Sequence, residues 1–156
     1  MTQNTATTRA ALVATLAAVP GIGAVHDRER YATQAATLRA LYVVQTDDGE
    51  QLHGWYVRRL AFRVERNGAG LKRVFTTWQL RGFMALRDES ASEIVFDAVI
   101  DAVRAAVDAD PTLGGAVQST LFEREVGPQL TASGPVMFAG VLCHAADMTL
   151  TTETLE

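Results

Sequence analysis

The chain has one cysteine in 156 residues, and one lysine beside thirteen arginines. A lone Cys143 excludes an intrachain disulfide and any multi-cysteine zinc site. No apolar run approaches the roughly 20 residues of a membrane span. The opening stretch, MTQNTATTRAALVATLAAVPG, carries no basic segment ahead of its apolar one, so a secretory leader is not expected. Metal-ligand spacings such as H-x-x-x-H and C-x-x-C are absent, as is the nucleophile-elbow pattern G-x-S-x-G. These gaps point to a soluble protein made in a reducing compartment, with no membrane partner, metal, cofactor or catalytic residues.

What is present is apolar content. Hydrophobic residues make up 48% of the chain. That suffices for a core and argues against wholesale disorder. The length fits one domain over 1–156. The polar, threonine-rich residues 1–6 and the last residues, 152–156, are expected to fray.

Patterning predicts an α+β fold, with a mainly antiparallel sheet, a long β-hairpin and helices on one face. A helix over about 7–18 places Leu12, Leu16 and Val19 at helical spacing, and PGIG stops it. Residues 33–44 repeat with helical period, although LYVV could also open a strand. TDDGEQ (46–51) is a turn. GWYVRRLAFRVER then alternates, with Tyr56, Arg58, Leu60, Phe62 and Val64 on one side. Trp55, Val57, Arg59, Arg63 and Glu65 fall on the other. NGAG (67–70) suits a hairpin turn, and KRVFTTWQLRGFMALR returns. The resulting hairpin, 54–87, is long enough to reach beyond its own core. Ser90 and Glu93 stand at capping-box spacing before a helix whose stripe is Phe96, Val99, Ile100, Val103 and Val107. After it come a short strand at 118–126, a loop GPQLTASGP, and one long strand at 136–152.

Several stretches mimic chemistry. PGIG holds only a G-x-G fragment, and it follows a helix rather than a strand, so a helix-ending turn is the better reading than a nucleotide loop. His26 and Asp27 are adjacent, and adjacent side chains rarely face each other. Cys143 and His144 neighbour on a strand and so point to opposite sides of it. Cys143 then reads as an apolar filler and His144 as a core or interface histidine.

Charge is unevenly placed. Residues 54–87 hold Arg58, Arg59, Arg63, Arg66, Lys72, Arg73, Arg81 and Arg87 against Glu65 alone. That makes the segment +7 on a remainder of −11. It could be a solvated strand face, a nucleic-acid patch in which Trp55, Phe75 and Phe83 stack bases, or packing between subunits. Arginine suits desolvated planar pairing and is enriched at protein interfaces, where lysine is depleted. The pI of about 5.4 is low for a nucleic-acid domain. Both observations favour protein contact.

The order of these segments resembles the tail terminator (minor tail, head–tail joining) proteins of long-tailed bacteriophages. The likeness is carried by GIGAVHDRERY, GWYVRRLAFRV, TTWQLRGFMALRDESASEIVFDAVIDAVRAAV and GVLCHAADMTLTT, across about 20–150. The resemblance implies a structural virion protein, made in the bacterial host cytoplasm. It implies a ring, expected to be a hexamer, at the head-proximal end of the tail. Its partners would be the tail tube protein and a head-completion or neck protein, with DNA passing through the lumen unbound. In that role the subunit-interface candidates are Arg58, Arg59, Arg63, Arg66, Arg73 and Arg81, with Trp55, Phe75 and Phe83 as apolar anchors. Residues 25–31 would be a corner holding the first helix to the sheet. There Asp27 would cap backbone N–H groups, and Arg28 and Arg30 would lie near a partner. Neighbouring neck and tail-completion proteins share small α+β folds, and a nucleic-acid module using the hairpin is the other class of reading.

Overall fold

A computed structural model describes residues 2–47 and 49–156. Met1 and Asp48, which belong to the expected frayed start and the expected 46–51 turn, lie outside the described residues. The elements run α1 (Thr5–Ala17), β1 (Ala24–His26), α2 (Ala35–Ala40), β2 (Val43–Thr46), β3 (Gly49–Arg66), β4 (Lys72–Ala85), α3 (Ser92–Asp108), β5 (Gln129–Phe138) and β6 (Val141–Leu155). Strand order across the sheet is β1-β3-β4-β6-β5, with β2 on β3. All pairings are antiparallel except β1 with β3. The fold is α+β.

The sheet separates two cores. On one face, Trp55, Val57, Trp78, Leu80, Met84, Ala146, Met148 and Leu150 meet Leu12 and Leu16 of α1 and the α3 stripe Phe96, Val99, Ile100, Val103 and Val107. The stripe is buried as its spacing predicts. On the other face, Tyr56, Phe83, Cys143 and Ala145 pack with Tyr42 and Leu52, flanked by Leu38 and Leu41. The helices therefore do not all share one face: the short α2 brings its end onto the second core. Helix α2 stops at Ala40 because the β-branched run Val43–Val44 pairs with β3 as a strand. That corrects the expected helix over 33–44.

Four further expectations are corrected. GPQLTASGP is not a loop but most of β5, and the expected strand 136–152 is two strands. They turn at Ala139 and Gly140, whose φ values of 51° and 77° suit a two-residue hairpin. Residues 118–126 form no strand and make only isolated bridges, Ser119 to Glu153 and Leu121 to Val126. The Ser90–Glu93 capping box is absent, since Ala91 holds the N-cap position. Ser92 ties this end instead, its Oγ accepting from the Arg87 N–H at 2.8 Å and bonding His144 Nε2 at 2.7 Å.

Both termini are hydrogen-bonded over the described residues. Asn4 and Thr7 form a reciprocal capping box on α1. Gln3 Oε1 accepts from the Leu155 N–H at 3.2 Å, and its Nε2 donates to the Gly115 carbonyl at 3.3 Å. Strand β6 pairs with β4 as far as Leu155. The extension beyond the core is thus three strands wide rather than a bare hairpin.

Candidate functional site

The basic strands are where the sequence placed the candidate residues. Opposite Trp78 sits Arg59, and opposite Thr77 sits Ala61, so Leu60 is an extra residue in β3. Such a bulge reverses which side each later residue faces. Arg59 stays on the α1 side, where it donates to Thr5 Oγ1 at 3.4 Å. Arg63 moves to the opposite face, its guanidinium 3.9 Å from the centre of the Phe75 ring. The expected shared face for Arg59 and Arg63 is therefore broken by one inserted residue.

Most of the candidate arginines are already paired within the chain. Arg58 donates to Glu29 at 2.9 Å, Arg73 to Glu153 at 2.7 Å, and Arg63 to Glu65. Arg81 lies 3.5 Å from Asp147. The Glu153 bond holds the Arg73 guanidinium above its ordinary pKa. Glu29, Glu153 and Asp147 come from outside the hairpin and cut its local excess from seven charges to four. Arg66 is exposed, with no hydrogen bond or ion pair among the described residues.

The corner behaves similarly. Asp27 pairs with the Arg28 guanidinium at 2.7 Å and, among the described residues, caps no backbone N–H. Glu29 is shared by Arg58 and the Tyr31 hydroxyl. Arg30 approaches His26 Nδ1 at 3.5 Å. Arg9 of α1 donates to the Asp27 carbonyl at 2.7 Å, which ties this corner to the helix. Gly21 and Gly23 both have positive φ, and an added Cβ at Gly23 would lie 2.3 Å from the His53 carbonyl oxygen. The glycines in PGIG are thus explained by backbone conformation and close packing.

The three expected apolar anchors are core residues. Trp55 is buried against Phe96, with its indole N–H unpartnered among the described residues. Phe83 stacks on Phe138 at 3.9 Å. Phe75 is covered by Arg63, Arg73 and Phe122. The exposed large apolar side chains of β3 are Leu60, Phe62 and Val64, at 46%, 58% and 50% exposure. Their alternation was legible in the sequence, but what covers them was not.

A concavity of about 950 Å³ opens between α3, β2 and β3. Ile94, Val95, Ala98 and Val99 line one wall, and Val44, Gln51 and His53 another. His53 is only 7% exposed and its Nε2 has no partner among the described residues. Burial pushes its pKa down to about 4, so the ring is neutral at pH 7. In the sequence His53 stands alone and belongs to no motif.

Cys143 is buried, and burial raises its thiol to about 11. Ser92 and His144 are within hydrogen-bond reach, yet Ser92 is buried and its Oγ already accepts the Arg87 N–H. No carboxylate hydrogen-bonds to His144 among the described residues, so the third member of a triad is lacking. Among the described residues, no group of three or more His, Cys, Asp or Glu is arranged to hold a metal ion. No helix of the described residues is long and apolar enough to cross a membrane. Neither a protein-family model nor a curated protein matches the chain.

Proposed function

We propose that this chain is a structural, ring-forming subunit of a phage tail, of the tail-terminator kind, and not an enzyme. One observation carries the assembly part of this reading. From Arg58 to Arg66, β3 pairs only with β4, every residue is exposed, and Leu60, Phe62 and Val64 are among them. A long exposed strand edge with apolar side chains is an aggregation hazard unless a partner covers it. A basic apolar edge on a chain of net charge −4 suits a heterologous contact, in which one patch meets a different patch on the next copy. Such contacts close into rings when the rotation allows. The tail-specific part rests on the resemblance in the segments quoted above. The tube protein, the neck protein and passing DNA are the partners it implies.

The nucleic-acid reading is the weaker one, because intrachain acids already engage Arg58, Arg63, Arg73 and Arg81. Mass measurement in solution with negative-stain micrographs tests the proposal. Rings with a central hole support it. A monomer at every concentration, or a monomer that binds duplex DNA below micromolar Kd near 150 mM salt, overturns it.

A further inference from the structure

We propose that the groove between α3 and β2 is a docking site for an extended segment of a partner protein, apolar along its length and carrying one carboxylate. This goes beyond the ring-forming reading and does not depend on it. The α3 wall of the groove is apolar and open. Ile94 and Val95 are 71% and 52% exposed there, and Ala98 beside them is exposed as well. Single exposed apolar residues are ordinary, but three that share one side of a helix and line a concavity form a patch. Val44 and Met84 continue the apolar lining on the sheet.

Charge narrows the occupant. Among the described residues that line the groove, Arg87 is the one charged side chain. Its guanidinium donates to the Glu50 carbonyl at 3.3 Å and forms no ion pair among the described residues. Asp88 and Glu89 follow it in the chain, but neither lines the groove. The α3 acids Glu93 and Asp97 are on the side of the helix turned away from Ile94, Val95 and Ala98. A half-buried cation beside an apolar wall calls for an anionic group on the occupant. The β3 edge of a second copy is therefore the wrong occupant, since its Arg59 and Arg66 would set like charges against Arg87.

His53 makes the second polar demand. It lines the same groove, is 7% exposed, and its Nε2 has no partner among the described residues. Leaving that nitrogen unpaired is costly. A turn of the imidazole about χ2 would offer it to a group in the groove. Glu50, whose carbonyl holds Arg87, stands three residues before His53 on β3, about 10 Å along the strand. An extended protein segment carries a side-chain carboxylate and a backbone N–H or C=O at that separation, with apolar side chains between them. A small amphiphile is the poorer fit, because small-ligand pockets cover most of their ligand and this wall is open.

A random seven-residue peptide library selected against the immobilised full chain tests this. Selected peptides are expected to combine apolar residues with one Asp or Glu. They are expected to bind Ile94→Glu and Arg87→Gln at least about tenfold more weakly than the unmodified chain. Ile94 is exposed, so its change leaves the core intact, and that comparison decides where a change at Arg87 disturbs the fold. A repeat selection against Arg87→Glu should return Lys or Arg where the acid stood. In the peptide complex of the unmodified chain, the imidazole NMR signals of His53 should move, and those of His26, which does not line the groove, should not.

Selected peptides that lack an acid, peptides that bind Ile94→Glu as tightly as the unmodified chain, or no selected peptide at all would overturn the proposal. So would laurate binding as tightly as the best peptide, which would make the groove a site for small amphiphiles. A chain that never forms rings yet selects acidic apolar peptides upholds this inference and ends the ring-forming one. Rings without such peptides do the reverse.

Discussion

The two halves of β3 are one strand with opposite fates. From Leu52 to Val57 every residue is buried; from Arg58 to Arg66 every residue is exposed. The second half still carries large apolar side chains, Leu60, Phe62 and Val64. What changes is cover. The first half lies between the two cores, under α1 and α3 on one side and under Tyr42 on the other. The second half has β4 beside it and little above it. Residue pattern alone does not decide burial; the reach of the neighbouring elements does.

The largest effects should fall in the covered half. Trp55→Ala and Phe96→Ala each remove a buried aromatic from one packed pair, and each should cost roughly 3–5 kcal/mol. Urea unfolding at constant m checks this. A cost below about 1 kcal/mol for either would mean that the covered half is far looser than its burial indicates. Trp55→Phe is the finer probe, since the indole N–H it removes has no partner to lose.

Next comes pH, acting through His53 at the groove. Its folded pKa lies near 4, below the ordinary value of 6.5. Above pH 6.5 neither the folded nor the unfolded state is protonated there, so the group adds no pH dependence. Between 6.5 and 4 the unfolded chain takes up a proton that the folded chain refuses. Stability therefore falls as pH falls through that window, by about 3 kcal/mol in all. Carboxylates also titrate toward its lower end, so the comparison is with His53→Gln, whose stability should decline less steeply. Parallel curves for the two proteins would show that the ring is solvated after all.

Gly23→Ala should cost roughly 2–3 kcal/mol, from a positive φ and from overlap with the His53 carbonyl. Gly21→Ala shares the positive φ but meets no atom within 4 Å, so it should cost less. Thermal unfolding of the pair separates conformational strain from crowding.

Sequence periodicity made the α3 stripe, the long β3–β4 pair and the α+β class legible, because each is set by local spacing. It misled where a single residue or a distant partner decides. Leu60 shifts the phase of β3, so Arg59 and Arg63 part company. Ala139 and Gly140 turn what reads as one strand into two. The arginines looked unpaired because Glu29, Asp147 and Glu153 are remote in sequence. Aromatic residues beside arginine looked like surface anchors, yet Trp55, Phe75 and Phe83 are buried. Of the groove, only the α3 wall was readable; His53 reaches it through tertiary packing.

The smallest expected effect is on the exposed half itself. Phe62→Ser should change the stability of the isolated subunit by no more than about 0.5 kcal/mol, the ordinary range for a surface position. The measurement belongs at concentrations so low that Tm no longer depends on concentration, because association with a native partner adds its own free energy. Arg59 rests 5.4 Å from the centre of the Phe62 ring, a contact worth little when both groups are in water. A cost above about 1.5 kcal/mol would mean that something within the subunit covers Phe62, and the division of β3 would be less sharp than drawn. A neutral result in the subunit with loss of the oligomer at higher concentration places the side chain's whole contribution between copies. The same strand would then hold a fold together at one end and an assembly at the other.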